Sequence, residues 1–163
     1  MASNSQIENG KILPKWGILG AGAMGWLWTY YLQRAKIGTL LLQRQNTSYR
    51  ECIIQKDNIF ENCRTSAIKS DNPCLPALDA LIIAAKAYSV RSALLPLQEV
   101  LSSKQIPIIL LQNGLGVFEE VRQLLPEQPI LILSTSNGAY WHESAFLKLT
   151  GIGSSYFGTL DNS

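Results

Sequence analysis

The sequence predicts an α/β domain in which a doubly wound, mostly parallel sheet carries helices on both faces. Three observations lead there. Short apolar runs recur along the chain (KWGIL, TLLLQR, ALIIAA, IILLQN, ILILST), and each closes on a glycine, a polar residue or a short step to one. Segments with helical spacing of apolar residues lie between most of them. The first run is followed at once by a glycine-rich turn. Strands buried on both faces read as continuous apolar runs, and parallel neighbours need a crossover connection, usually a helix.

The first element is also the most ambiguous. From Trp16 to Gln33 the run WGILGAGAMGWLWTYYLQ carries no charge, and its length approaches that of a membrane span. Gly17, Gly20, Gly22 and Gly25 argue against one continuous helix, because each interior Gly costs about 1 kcal/mol relative to Ala. Split at Gly20, the run becomes a strand over residues 15–19, a glycine turn, and a helix from Ala23 that Gly38 is expected to end. Trp28 and Leu32 share a side of this helix with Gly25, so they should pack on the sheet. Trp26 and Tyr30 fall elsewhere around it and are expected to be partly exposed, or covered by a region outside this chain.

Residues 39–44 form a second buried strand closing on Arg44. Residues 46–76 mix polar residues with short alternating pieces and read as minor strands and loops. A clear buried strand follows over residues 80–85, running out at Lys86. Residues 90–101 have helical spacing, residues 108–111 form another strand, and residues 117–125 are again helical. A last parallel strand spans residues 130–134, with a turn at Asn137-Gly138, and the remainder to Gly158 reads as a hairpin.

A chain of 163 residues is one domain by size, and 47% apolar with 16% charged residues describes a soluble globular protein. A net charge of +2 with scattered Lys and Arg leaves no nucleic-acid footprint. Residues 1–14 lack the basic and apolar regions of a secretory signal and read as a flexible leader. The domain proper is expected over residues 15–160, with residues 161–163 as a tail. Cys52, Cys63 and Cys74 form no CxxC pair, which suits reduced thiols of a cytoplasmic protein. His142 is the single histidine, so neither a His-based triad nor a multi-histidine metal site is expected, and no membrane partner is.

Ligands of doubly wound sheets bind beyond the carboxyl ends of the strands. Gly20-Ala21-Gly22-Ala23-Met24-Gly25 stands there and fits G-x-G-x-x-G. Its first Gly permits a tight turn, its second lets backbone approach a pyrophosphate, and its third lets helix pack on strand. The helix N-terminus then offers free N–H groups to the anion. This is a Rossmann-type dinucleotide cradle. Arg44 stands where NAD-binding domains place an acid for the ribose 2′-hydroxyl, and a guanidinium there suits a 2′-phosphate instead. A plain solvated arginine is the alternative. Lys86 closes a strand at the same edge, or merely reaches water. Asn113, between Gln112 and Gly114, can donate and accept toward a ligand, or serve an ordinary Asn-Gly turn.

These pieces together resemble the ketopantoate reductases (2-dehydropantoate 2-reductases). The resemblance rests on ILGAGAMGWLW, LLLQR, the KAY of IIAAKAYSV, LLQNGLGVFEE, ILILSTSNGAYW and TGIGSSYFG, and covers residues 15–158. It implies reduction of ketopantoate to pantoate with NADPH, on the route to pantothenate and coenzyme A. It would place Gly20, Gly22 and Gly25 at the pyrophosphate, Arg44 and Lys86 at the adenosine side with its 2′-phosphate, and Asn113 at the nicotinamide ribose and substrate. Thr135 would lie beside the nicotinamide edge. The family's usual histidine or tyrosine after that Ser/Thr run is Asn137 here.

The family also has a C-terminal helical domain carrying the lysine that protonates the alkoxide, and this sequence contains no such segment. No residue here takes the catalytic role on this reading, Lys148 included, and the chain alone is expected to be inactive. Aromatic residues near the end, Tyr156, Phe157 and Trp141, would be left exposed and favour self-association. A non-catalytic NADP(H)-binding module and a reductase of another 2-oxo acid remain alternatives.

Overall fold

The computed structural model describes residues 7–8, 11–12, 14–72, 74–112, 116–143 and 146–160. Two short strands, β1 (Ile7–Glu8) and β2 (Lys11–Ile12), pair antiparallel within the segment read as a leader. The main sheet begins with β3 (Lys15–Leu19), which leads through the glycine turn into helix α1 (Ala23–Arg34) and then β4 (Gly38–Gln43). A pair of longer strands follows, β5 (Tyr49–Lys56) and β6 (Ile59–Lys69), and then β7 (Ala80–Ile83). Short helices α2 (Val90–Leu94) and α3 (Gln98–Ser102) lead to β8 (Ile108–Leu110), and α4 (Val117–Leu124) to β9 (Ile130–Thr135). The described chain closes with β10 (Gly138–Glu143), β11 (Phe146–Gly151) and β12 (Ser155–Gly158).

The strands form one sheet in the order β10-β11-β5-β6-β4-β3-β7-β8-β9-β12. Its six central strands, β6-β4-β3-β7-β8-β9, run parallel to one another, and reproduce the 3-2-1-4-5-6 order of dinucleotide-binding folds. Alternate side chains of the central strands enter two separate cores. Leu19, Leu40, Leu42, Leu81, Ile83, Ile108 and Leu110 pack on the side of α2, α3 and α4, while Ile18, Leu41, Ala80, Ile82 and Ile109 pack on the side of α1. Period-two alternation puts neighbouring residues on opposite faces, so a strand covered on both must be apolar throughout.

Several boundaries differ from the sequence reading. Gly38 does not end α1, which stops at Arg34; Lys36 takes a left-handed φ of 63°, and Gly38 already pairs with the chain before β3 through its N–H to the Pro14 carbonyl at 2.8 Å. Residues 46–76 are not minor pieces but contain β5 and β6, which pair antiparallel along their length and place Cys52 opposite Cys63. Both thiols are buried, and the hydrogen bond with Cys63, reinforced by burial, pushes the Cys52 thiol far up from its ordinary range. Residues 90–101 keep the apolar spacing, with Val90, Leu94, Leu97 and Leu101 buried. Pro96 nevertheless interrupts the helix with a 3₁₀ turn over Leu95–Leu97.

The last segment departs furthest from expectation. β10 and β11 do form a hairpin, but it lies at the far end of the sheet, with β11 parallel to β5, while β12 returns to pair antiparallel with β9. Only Ser136 and Asn137 separate β9 from β10. Strands at opposite ends of the sheet order can be joined by so short a link only if the sheet curls until its two ends approach one another. They meet over α1.

That curl explains the aromatic helix. Trp26 is 0% exposed and Tyr30 7%, contrary to the expectation that they would be partly open or need a region outside this chain. The Trp26 ring meets Trp141 of β10 edge-on at 6.4 Å, and the Tyr30 hydroxyl donates to Glu61 of β6 at 3.0 Å. Trp28 meets Phe157 of β12 edge-on at 6.4 Å. A helix that is apolar all round needs partners all round, and here the curled sheet supplies them. Among the described residues no helix is long and apolar enough to cross a membrane.

Replacing Trp26 with Ala is expected to lower stability by about 3–5 kcal/mol, the cost of emptying a large buried aromatic site. Urea denaturation of the Trp26→Ala chain measures it, and a loss below ~1 kcal/mol would mean that α1 is not enclosed as described.

Candidate cofactor-binding site

Strand β3 is the switch point of the sheet, since the chain runs from it first to β4 on one side and later to β7 on the other. The glycine turn leaves its carboxyl end there. Gly20 has a φ of 117°, and a Cβ on it would lie 2.8 Å from the Ala85 nitrogen, so no other residue fits. Its N–H is bonded to the Leu42 carbonyl at 3.0 Å, while Ala84 bonds the Leu19 carbonyl at 2.8 Å. Both neighbouring strands thus hold the turn in place. At Gly25 a Cβ would run into the Gly20 carbonyl oxygen, and the Thr29 hydroxyl donates to the Gly25 carbonyl at 2.8 Å.

Gly22 is different. It caps α1 with a φ of −77° and extended backbone, a conformation open to any residue, and a Cβ added there would meet nothing within 4 Å. Its missing side chain therefore keeps the space in front of the helix clear. α1 has no side-chain cap and no acid in its first turn, so the first N–H groups, those of Ala23, Met24 and Gly25, lack helical acceptors and face no fixed negative charge.

In front of this turn lies a cavity of about 670 Å³, within the ordinary range for ligand sites. Gly20, Ala21 and Gly22 form one wall, and Arg44, Arg50 and Lys86 supply three cations. Among the described residues no Asp or Glu lines it. Arg44 follows β4 directly and is exposed; Lys86 is exposed at the start of the 3₁₀ turn Ala87–Ser89. The Gln112 amide donates to the Ile83 and Ala85 carbonyls at 2.7 and 2.9 Å, which pins the segment leading to Lys86. A cationic, acid-free cavity fed by open helix N–H groups fits a phosphorylated dinucleotide.

Arg50 was missed by sequence reasoning. It belongs to β5, outside the strand–helix–strand unit that the motif marks, and only the alternation of Arg50 with the buried Cys52 and Ile54 hints that it faces inward. Thr135 does not line the cavity. Its hydroxyl lies 2.8 Å from that of Ser155 and accepts from the Asn137 N–H at 3.1 Å. Asn137 in turn accepts from the Gly153 N–H at 2.9 Å and from the Tyr31 hydroxyl at 3.3 Å. This network ties the β9–β10 and β11–β12 junctions to α1. Asn113 lies outside the described residues. Lys148 stands on β11 opposite Tyr140 and lines neither this cavity nor a second, largely apolar one of about 310 Å³ between α4 and β9.

The geometry separates the glycines by role. Gly25→Val is expected to destabilise the fold severely, because the side chain meets backbone, whereas Gly22→Val should melt within about 1 kcal/mol of the parent, as a surface substitution does. Thermal melts followed by circular dichroism compare them, and equal losses would contradict the distinction.

Comparison with known proteins agrees with this picture. The family described as ketopantoate reductase PanE/ApbA matches residues 16–162. A 2-dehydropantoate 2-reductase of Vibrio cholerae is 30% identical over 141 residues, which are 86% of this chain and 46% of the relative. One from Listeria innocua is 32% identical over 131 residues, 76% of this chain and 42% of the relative. The chain thus spans about half the length of the curated relatives it matches. Among solved structures, D-mandelate dehydrogenase with NADH and anilino(oxo)acetate superposes with a TM-score of 0.77 at 22% identity, over 91% of this chain and 49% of that one. A PanE/ApbA family ketopantoate reductase from Ralstonia eutropha gives 0.74 at 22% identity, over 88% and 48%. At such identity these two likenesses concern the fold.

Proposed function

The chain belongs to the ketopantoate reductase family, and from that premise we propose that it is the NADPH-binding domain of an oxidoreductase that reduces 2-dehydropantoate to pantoate, in the cytoplasmic route to pantothenate and coenzyme A. The observation that carries the reading is the cavity at the glycine turn, with three cations and no carboxylate on its wall among the described residues. An acid at the end of β4 would favour a bare ribose; Gln43 and Arg44 stand there instead.

On this reading the first N–H groups of α1, at Ala23, Met24 and Gly25, hold the pyrophosphate against Gly20, Ala21 and Gly22. Arg44 and Lys86 bind the adenosine side and its 2′-phosphate. Asn113 serves the nicotinamide ribose and the 2-oxo acid. Thr135 acts at one remove, orienting Asn137 through the bond described above. The bound nicotinamide would supply the hydride for the keto carbon. Reduction also needs a proton donor for the new alkoxide, and we assign that role to no residue of this chain. Tyr156 and Phe157, 69% and 52% exposed, offer an apolar surface through which we expect the chain to self-associate; light scattering of the purified chain should show a species larger than the monomer.

Calorimetric titration with NADPH and NADH tests the cofactor assignment. A charge-assisted phosphate contact contributes about 1.5–3 kcal/mol, so NADPH should bind about tenfold or more tightly. Arg44→Ala should remove much of that preference, and Gly22→Val should abolish binding of both while the domain stays folded. Equal affinities in the parent chain would overturn the assignment.

A further inference from the structure

We propose that Arg50, delivered from β5 and positioned by Gln43, is a second determinant of selectivity for a 2′-phosphorylated nucleotide, acting beside Arg44. The inference rests on the cofactor reading above and adds a residue from outside the glycine-motif unit.

Arg50 and Arg44 line the same cavity, but they are held differently. The Arg50 Nη1 donates to the Gln43 Oε1 at 3.1 Å and to the Gln45 Oε1. Gln43 is 6% exposed, and its own amide nitrogen donates to the Thr47 hydroxyl at 2.7 Å and to the Gln45 carbonyl at 3.3 Å. Those bonds turn its oxygen toward Arg50. The guanidinium is therefore ordered before any ligand arrives, while its other N–H groups have no acceptor among the described residues. Arg44 makes no side-chain hydrogen bond among those residues, so it must be ordered when it binds.

The partners of Arg50 are neutral oxygens, so its charge is not spent within the protein. Glu51 follows in the strand and points to the opposite face, and Asp71, near the cavity residue Ser70, is paired with Lys69 at 2.7 Å. Two guanidinium groups on one cavity wall repel each other unless an anion joins them. A phosphate monoester, with close to two negative charges and several acceptor oxygens, is the group that two such forks match.

Adenosine 2′,5′-bisphosphate and adenosine 5′-monophosphate differ only in the 2′-phosphate, and titrating both into the 163-residue chain isolates that group. Arg50→Met should lower affinity for the bisphosphate by about tenfold, with the monophosphate changing by less than about twofold. Gln43→Met, which removes one of the two acceptors that hold the guanidinium without removing the guanidinium, should give a smaller drop in the bisphosphate-to-monophosphate affinity ratio, a readout that general loosening of the fold would not move. Should Arg50→Met fail to fold, Arg50→Lys decides in the same way, with an expected drop of about threefold. An unchanged ratio in the Arg50 variants, alongside a reduced one in Arg44→Met, would overturn the role of Arg50 and leave the cofactor reading standing. A parent chain that does not distinguish the two probes would overturn both.

Discussion

Gly25 carries no side chain because the Gly20 carbonyl oxygen occupies the place that a Cβ would take. This single close approach sets the position of α1 against the end of β3, and most of the molecule follows from it. The helix starts where the strand stops, its first N–H groups open onto the switch point of the sheet, and its apolar body lies flat on the strands beside it. One added methyl group would push the helix off the turn and misplace both its core face and its uncapped N-terminal end.

With α1 fixed so closely, the sheet has to grow around it. The helix is apolar on all sides, and the parallel strands cover only one. β5 and β6 extend the sheet past one side, and the β10–β11 hairpin adds to that end, bringing Trp141 and Glu61 against Trp26 and Tyr30. β12 closes on Trp28 from the opposite end. Asn137 is the knot where these ends meet, since its side chain bonds α1, the approach to β12 and the end of β9 at once. An asparagine can serve there because an amide both donates and accepts.

The same curl has an electrostatic consequence. By adding β5 to the outer side of β6, it carries Arg50 to the cavity mouth that Arg44 already borders. The neutral amides of Gln43 and Gln45 hold that arginine without cancelling its charge. The cavity thus draws on two parts of different origin: open backbone N–H groups of the strand–turn–helix unit, and cations that follow β4 and lie on β5.

The central strands, the glycine turn, the start of α1 and the cations Arg44 and Lys86 were legible in the sequence, because each depends on local pattern. An apolar run closing on a polar residue marks a strand buried on both faces, and glycine spacing marks a turn that must admit backbone or ligand. The longer strands in residues 46–76 were not legible, since half-exposed alternating residues look the same in a loop. The fate of Trp26 and Tyr30 was not legible either, because it depends on Trp141 of a hairpin more than 100 residues further along the chain and on Glu61 of β6. Nor was Arg50 a site residue by any local sign; it becomes one only through strand pairing. Short-range sterics and hydrophobic periodicity dictate the parallel core and the glycine turn at its edge, so both could be read from neighbouring residues alone. What encloses α1, and the arrival of Arg50 as a third cation at the cavity, emerge only on folding, because strand pairing and the curl that brings the two ends of the sheet together are properties of the whole assembled sheet.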